Sequence, residues 1–136
     1  MTDFVIDSWA WIEYLDGSRL GSKVRDVIMN ERNTIYTHVV SVAEIISKEI
    51  RQNKDPEIAW KAITNLSKIL QLDETDARAV GFLHAKIKSK NGNFGLADSF
   101  VLHSAKKLGG RVLTGDPDFK GIPEATLLAK RTRALA

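Results

Sequence analysis

The sequence predicts a three-layer α/β/α domain, a central parallel sheet of four to five strands with helices packed on both faces. Three observations carry that reading. Short apolar runs of strand character alternate with longer segments whose apolar residues recur at helical spacing, the pattern of parallel strands joined by helical crossovers. The 136 residues suit one domain of ordinary size. With 43% hydrophobic and 27% charged residues, the chain can close a sizeable core beneath a solvated surface.

Phe4-Val5-Ile6 is the first buried strand. Ser8 then serves as N-cap of a helix holding Trp9, Ala10, Trp11, Ile12, Tyr14 and Leu15, and Asp16-Gly17-Ser18 breaks it. Leu20, Val24, Val27 and Ile28 repeat at helical spacing. Thr34 to Thr37 is a second strand, rich in β-branched and aromatic residues. Val39 to Gln52 returns to a helical pattern. Asp55-Pro56-Glu57 starts another helix with a capping acid, a proline at the first helical position and a first-turn carboxylate. Ala59, Ala62, Ile63, Leu66, Ile69 and Leu70 form its buried stripe, and Leu70 to Asp73 is a short third strand. Thr75 opens a helix with Val80, Leu83 and Ile87 on its apolar face. Asn91-Gly92-Asn93-Phe94-Gly95 is a loop by its turn chemistry. Leu96 to Leu108 is helical and ends at Gly109-Gly110. Arg111 to Thr114 is a strand, Gly115 to Asp118 a turn, and Ala125 to Leu128 a last edge strand. The domain spans residues 1–129, and residues 130–136 form a basic tail.

The absence of cysteine excludes a disulfide scaffold and a thiolate zinc site, and fits a reducing compartment. The longest charge-free stretch, Asn33 to Ala43, falls far short of a membrane span, and Met1-Thr2-Asp3 lacks the basic patch of a signal peptide. The expectation is a cytoplasmic protein without a membrane partner. A net charge of +3 says little by itself. Its distribution says more: residues 1–77 carry nine basic and thirteen acidic groups, whereas residues 78–136 carry eleven basic and only four acidic ones. Those four are Asp98, Asp116, Asp118 and Glu124.

Acids in a basic stretch invite a question about their purpose. Asp7 immediately follows the first strand, Asp116 follows the strand ending at Thr114, and Asp98 lies in the first turn of a helix. In a parallel α/β sheet all three project toward the carboxyl ends of the strands, where ligands bind. Glu44 joins them from a helix among Val40, Val42, Ala43, Ile45 and Ile46, where a buried carboxylate needs compensation. Carboxylates that converge raise one another's pKa, so a divalent cation is their natural partner, and Mg²⁺ or Mn²⁺ takes oxygen ligands of this kind. Each acid also has a simpler role. Asp98 suits a helix dipole, Asp116 and Asp118 suit a turn around Pro117, Asp7 suits a strand end, and Glu44 suits a solvent-facing position.

The motifs around these acids match a known family. Val5-Ile6-Asp7-Ser8-Trp9-Ala10-Trp11-Ile12-Glu13-Tyr14-Leu15 resembles the opening of a PIN domain, most closely the VapC-type toxins of prokaryotic toxin–antitoxin pairs. Val42-Ala43-Glu44-Ile45 is similar to the family's second acidic position, Gly95-Leu96-Ala97-Asp98-Ser99-Phe100-Val101 to its third, and Leu113-Thr114-Gly115-Asp116-Pro117-Asp118-Phe119 to its fourth. The four motifs stand in the family's order from Val5 to Phe119. The resemblance implies a PIN-like fold and a metal-dependent endoribonuclease using Mg²⁺ or Mn²⁺. It implies Asp7, Asp98 and Asp116 as metal-binding catalytic acids and Glu44 as an acid that ligates the ion or holds its water. Asp118 corresponds to a more variable auxiliary position, and Ser8, Ser99 and Thr114 to hydroxyls that orient the carboxylates. It further implies a homodimer, an RNA substrate, and an antitoxin whose C-terminal segment blocks the site, with an Arg in the acidic pocket.

Other residues are less telling. Trp9 and Trp11 cannot both face the core from so short a helix, so one is free to line a groove, while Trp60 reads as packing. His38, His84 and His103 lack metal-ligand spacing and read as structural. Lys86, Lys88 and Lys90 read as solvated, whereas Lys106, Lys107, Arg111 and Lys120 flank the acidic motifs and suit a grip on RNA phosphates. The rival readings are an RNA-processing or decay nuclease of the same fold without an antitoxin, a non-catalytic RNA- or protein-binding PIN domain, and a receiver-type phosphoacceptor. The last needs a central-strand Asp with a late-strand lysine, and the sequence places neither.

Overall fold

Five strands, β1 (Thr2–Ile6), β2 (Asn33–His38), β3 (Lys68–Leu70), β4 (Arg111–Thr114) and β5 (Ala125–Leu127), form one sheet in the order β3-β2-β1-β4-β5. All four neighbouring pairs are parallel, with Val5 opposite Tyr36 on one side and Val112 on the other. The computed structural model describes residues 1–128. The helices are α1 (Ser8–Asp16), α2 (Arg19–Met29), α3 (Val39–Arg51), α4 (Pro56–Leu66), α5 (Glu74–Lys88) and α6 (Leu96–Leu108). None of those described is long and apolar enough to cross a membrane. The basic tail at 130–136 lies outside the described residues.

Alternation along each strand builds the three layers. Ile6, Ile35 and Leu113 face one core with Trp11, Val24, Ile45 and Ile63, residues of α1 to α4. Their neighbours Val5, Tyr36 and Val112 face the opposite core with Phe94, Phe119, and Val101 and Leu102 of α6. Trp11 anchors the first layer. It is fully buried, stacks edge-on against Tyr14 with ring centroids 5.6 Å apart, and donates its indole N–H to the Thr37 hydroxyl at 2.9 Å. Asp76 of α5 secures the second layer by accepting from His103 Nε2 at 2.9 Å and Lys107 Nζ at 3.0 Å, both on α6. Those two partners hold its carboxyl well below the usual range.

Several element borders depart from the sequence expectation by one or more residues, and three of these departures have a clear cause. Asp7 caps α1 instead of Ser8, because its extended backbone lets Oδ1 accept from the Ala10 amide at 2.8 Å. The stripe of α4 ends at Leu66, so Ile69 and Leu70 belong to β3, which starts two residues before the expected Leu70. Ser67 causes this: its hydroxyl donates to the Ile63 carbonyl at 2.7 Å and meets the Thr37 hydroxyl at 2.7 Å, turning the chain out to pair Ile69 with Thr37. Helix α5 begins at Glu74, one residue before Thr75, since Asp73 and Asp76 cap each other's backbone amides.

Candidate active site

β1 is the hinge of the topology: β2 and β3 lie on one side of it, β4 and β5 on the other. The crevice at the C-terminal ends of β1 and β4 is therefore the switch point, where parallel α/β sheets bind ligands. Asp7 is the residue after β1, and Asp116 is two residues after β4. Asp98 enters from the first turn of α6, Glu44 from α3, and Asp118 from the 3-10 turn Pro117–Phe119. These five acids, with Ser8, Trp9 and Asn93, line one open cavity of about 690 Å³.

Local chemistry explains why the chain holds acids here. Asp7 caps α1, Asp98 Oδ2 accepts from the Gly95 amide at 3.1 Å, and Asp116 Oδ1 accepts from the Asp118 amide at 2.9 Å. The simple roles read from the sequence are thus real, but each uses one oxygen of its carboxylate and leaves the other without a backbone donor. Among the described residues none of the five carboxylates forms an ion pair; the cations that do pair are Lys54 with Asp16, His103 and Lys107 with Asp76, and Lys106 with Glu124.

Crowding and dehydration set the site's electrostatics. Burial pushes the Asp7 carboxyl up to about 7, against the pull of the Thr114 hydroxyl and the Ala10 amide, and the charges of Asp98 and Asp116 add to the push. Burial likewise raises Asp98 to about 6; the Gly95 amide opposes, and Asp116, Glu44 and Asp118 reinforce it. Glu44 is raised by partial dehydration in the cleft and lowered by the Ser8 hydroxyl. Its apolar neighbours do not bury it: Ile45 turns to the core while Glu44 stands exposed on the cavity wall. Among the described residues no three His, Asp or Glu side chains stand close enough to enclose an ion as they are. The donor set is nonetheless all oxygen, and a hard divalent cation that keeps several waters suits carboxylates spaced more widely than direct ligation requires.

The remaining expected residues separate. Ser8 and Asp118 line the cavity. Thr114 is buried behind it, accepting from the Asp116 amide at 2.9 Å while its hydroxyl acts on Asp7. Ser99 is also buried and donates to the Gly95 carbonyl at 3.2 Å, so its hydroxyl bonds backbone and no carboxylate. Trp11 goes to the core and Trp9 to the cavity. Its ring lies on the Gly115 backbone, where an added Cβ would come within 2.1 Å of a ring carbon. Trp60 is 44% exposed on α4 and does not line the site. No histidine lines it either: His38 Nδ1 accepts from the Val40 amide, His84 pairs with the Phe94 carbonyl, and His103 pairs with Asp76.

Two basic residues escaped the sequence reading. Lys48 and Arg51 line the cavity beside Ser47. Their spacing from Glu44, at three, four and seven residues, was the available signal, because it puts all four on one helix face. Three cations expected to face substrate are engaged elsewhere. Lys106 pairs with Glu124 at 3.1 Å, Lys107 with Asp76, and Arg111 Nη2 donates to the Ala125 carbonyl at 2.8 Å.

A family model described as PIN domain matches residues 4–125. The chain belongs to the PIN domain family. Solved structures share this PIN architecture. A toxin–antitoxin complex from Klebsiella pneumoniae superposes with a TM-score of 0.75 at 17% identity, covering 93% of this chain and 98% of that one. VapC20 of Mycobacterium tuberculosis, described as a toxin that cleaves the sarcin–ricin loop, gives 0.75 at 10% identity, covering 93% and 99%. DNA-bound VapBC from Salmonella typhimurium gives 0.67 at 19% identity, covering 93% and 97%. Comparison with curated protein sequences finds no match. The PIN fold is thereby shared with VapC toxins across nearly the whole length of each.

Proposed function

We propose that this PIN domain is a metal-dependent endoribonuclease, the toxin of a VapBC-type toxin–antitoxin pair, working with Mg²⁺ or Mn²⁺. The observation that carries this reading is the convergence of Asp7, Glu44, Asp98 and Asp116 in one cavity with no paired cation among the described residues. Asp7, Asp98 and Asp116 hold the ion, and Asp118 supports them from the neighbouring turn. When bound, a divalent cation offsets charge developing on the attacked phosphate and makes water a stronger nucleophile.

The protein's own groups do the rest. Glu44 lines the cavity from α3, and its raised pKa suits it to accept a proton from the attacking water. The Ser8 hydroxyl beside Glu44 and the Thr114 hydroxyl beside Asp7 favour the charged carboxylates and oppose the effect of burial. Lys48 and Arg51 bring positive charge to the same wall, where the phosphodiester approaches. The same acids suit an antitoxin segment that delivers an Arg into the pocket, and a cytoplasmic homodimer completes the proposal.

The test is cleavage of a panel of structured RNAs with Mg²⁺, Mn²⁺ or EDTA, paired with expression in a bacterial host. Internal cleavage that EDTA stops, together with growth arrest relieved by a co-expressed partner, is the expected result. Cleavage without growth arrest moves the protein to RNA processing, and no cleavage of any RNA with either ion leaves only a binding role.

A further inference from the structure

Beside the acidic cavity lies a second one of about 420 Å³, and Asp118 belongs to the wall of both. Its sides come from the C-terminal half of α5 and from the segment after the 3-10 turn. Leu83 and Ile87 contribute apolar lining, and Lys86, Lys90 and Lys120 stand exposed around it. The walls are tied together, since Asn91 donates its side-chain amide to the Asp118 carbonyl at 3.4 Å and Lys88 donates to the Gly92 carbonyl at 3.0 Å.

The charges in this groove are unequal. Lys106 also lines it, but Glu124 neutralises that ammonium. Among the described residues Lys86, Lys90 and Lys120 form no ion pair, and Asp118 is the one unpaired acid opposite them. Lys86 lies in the last turn of α5 and Lys90 two residues beyond its end at Lys88, and both line the groove. Lys86, Lys88 and Lys90 read as solvated from the sequence, yet Lys86 and Lys90 line one groove. A helix C-terminus favours lysines for its dipole alone, which would account for Lys86 and Lys90. It does not account for Lys120, which reaches the same groove from a different segment of the chain.

We propose that this groove binds the backbone phosphates of the substrate RNA next to the bond being cleaved. The inference rests on the nuclease reading of the acidic cavity. A polyanion with one phosphate among the acids and their cation meets Lys120, Lys86 and Lys90 immediately beyond Asp118. Lys106, Lys107 and Arg111 are excluded from this role by their internal partners. The acidic and basic cavities are thus consecutive parts of one strand-binding track.

The test uses the full chain carrying Asp98→Asn, so that RNA stays intact, and a fluorescein-labelled 20-nucleotide single-stranded RNA in magnesium buffer. Anisotropy gives Kd as a function of salt. Lys86→Gln, Lys90→Gln and Lys120→Gln are combined, and the control combines Lys23→Gln, Lys61→Gln and Lys68→Gln, exposed positions with the same loss of charge. The groove triple should weaken binding about tenfold or more near 0.1 M salt and flatten the log–log salt slope by about 2, while the control moves neither by much. Equal Kd and slope for the groove triple and its parent, or equal losses in both triples, would overturn the proposal. The two readings fail separately. Groove-dependent binding by a chain whose Asp98 form cuts no RNA sinks the nuclease assignment, and cutting without groove-dependent binding sinks the track.

Discussion

On the nuclease reading, Asp98→Asn should lower metal-dependent RNA cleavage by at least about 10²-fold, the scale of removing one electrostatic stabiliser of a transition state. The same substitution raises the melting temperature of the metal-free protein at pH 8. The two effects have one cause. Asn keeps an oxygen for the Gly95 amide, so α6 retains its first-turn bond. It removes a dehydrated charge that Asp116, Glu44 and Asp118 oppose. With the folded-state pKa raised to about 6 from 3.8, the folded state binds more protons than the unfolded one between those values. Its destabilisation is absent below the lower value, grows as pH rises, and is complete above the upper one.

Asp7, raised to about 7, follows the same sign over a wider window. His38 runs the other way. Burial lowers it to about 4, so the stability it contributes is full above its ordinary 6.5 and is lost as pH falls toward 4. The whole-protein curve mixes these terms, and the difference between parent and Asp98→Asn isolates the acid. Thermal unfolding in EDTA should show that difference near zero at pH 4 and largest, in favour of Asn, at pH 8. A variant less stable than its parent at pH 8 would mean the carboxylate is a structural cap and nothing more.

Trp11→Ala costs about 3–5 kcal/mol, a large part of the roughly 5–15 kcal/mol net stability of an ordinary domain. The indole is wholly buried, and its loss leaves a cavity beneath α1, the helix that Asp7 caps and that carries Trp9 into the site. Trp11→Phe costs less. The Thr37 hydroxyl then loses the indole donor but keeps Ser67 at 2.7 Å, so it is not left unpaired. Thr37→Val is the complementary change, because it leaves the buried indole N–H without its acceptor, at a cost of about 1–3 kcal/mol. Urea unfolding of the three variants should rank them with Trp11→Ala the least stable. Near-parental stability for Trp11→Ala would show that α1 does not depend on this anchor.

The fold was legible because its strands are apolar runs that alternate with periodic helices, and Val5-Ile6 and Val112-Leu113 each supply one residue to either face. β3 starts two residues and ends three residues before the expected Leu70 to Asp73, because the decisive contact, Ser67 with Thr37, joins residues 30 apart and leaves no local trace. Asp7, Asp98 and Asp116 were readable from their positions at strand ends and a helix start. Glu44 lines the same cavity but stands exposed, the solvent-facing alternative of the sequence reading, since its apolar neighbours in sequence point away from it in space. The basic residues were the hardest. Lys106, Lys107 and Arg111 find partners 18, 31 and 14 residues away, which no local pattern announces.

The central claim is that the acids of this cavity act together on a divalent cation, and calorimetric titration with Mn²⁺ at pH 6 and pH 8, in buffers of different ionisation enthalpy, tests it most directly. Since Asp7 and Asp98 titrate near 7 and 6, binding should be tighter at pH 8 and should release protons at pH 6. Asp98→Asn should weaken binding at both pH values and reduce the protons released at pH 6 to the share that Asp7 supplies. Equal Mn²⁺ affinity in parent and variant, or no binding at either pH, would contradict it.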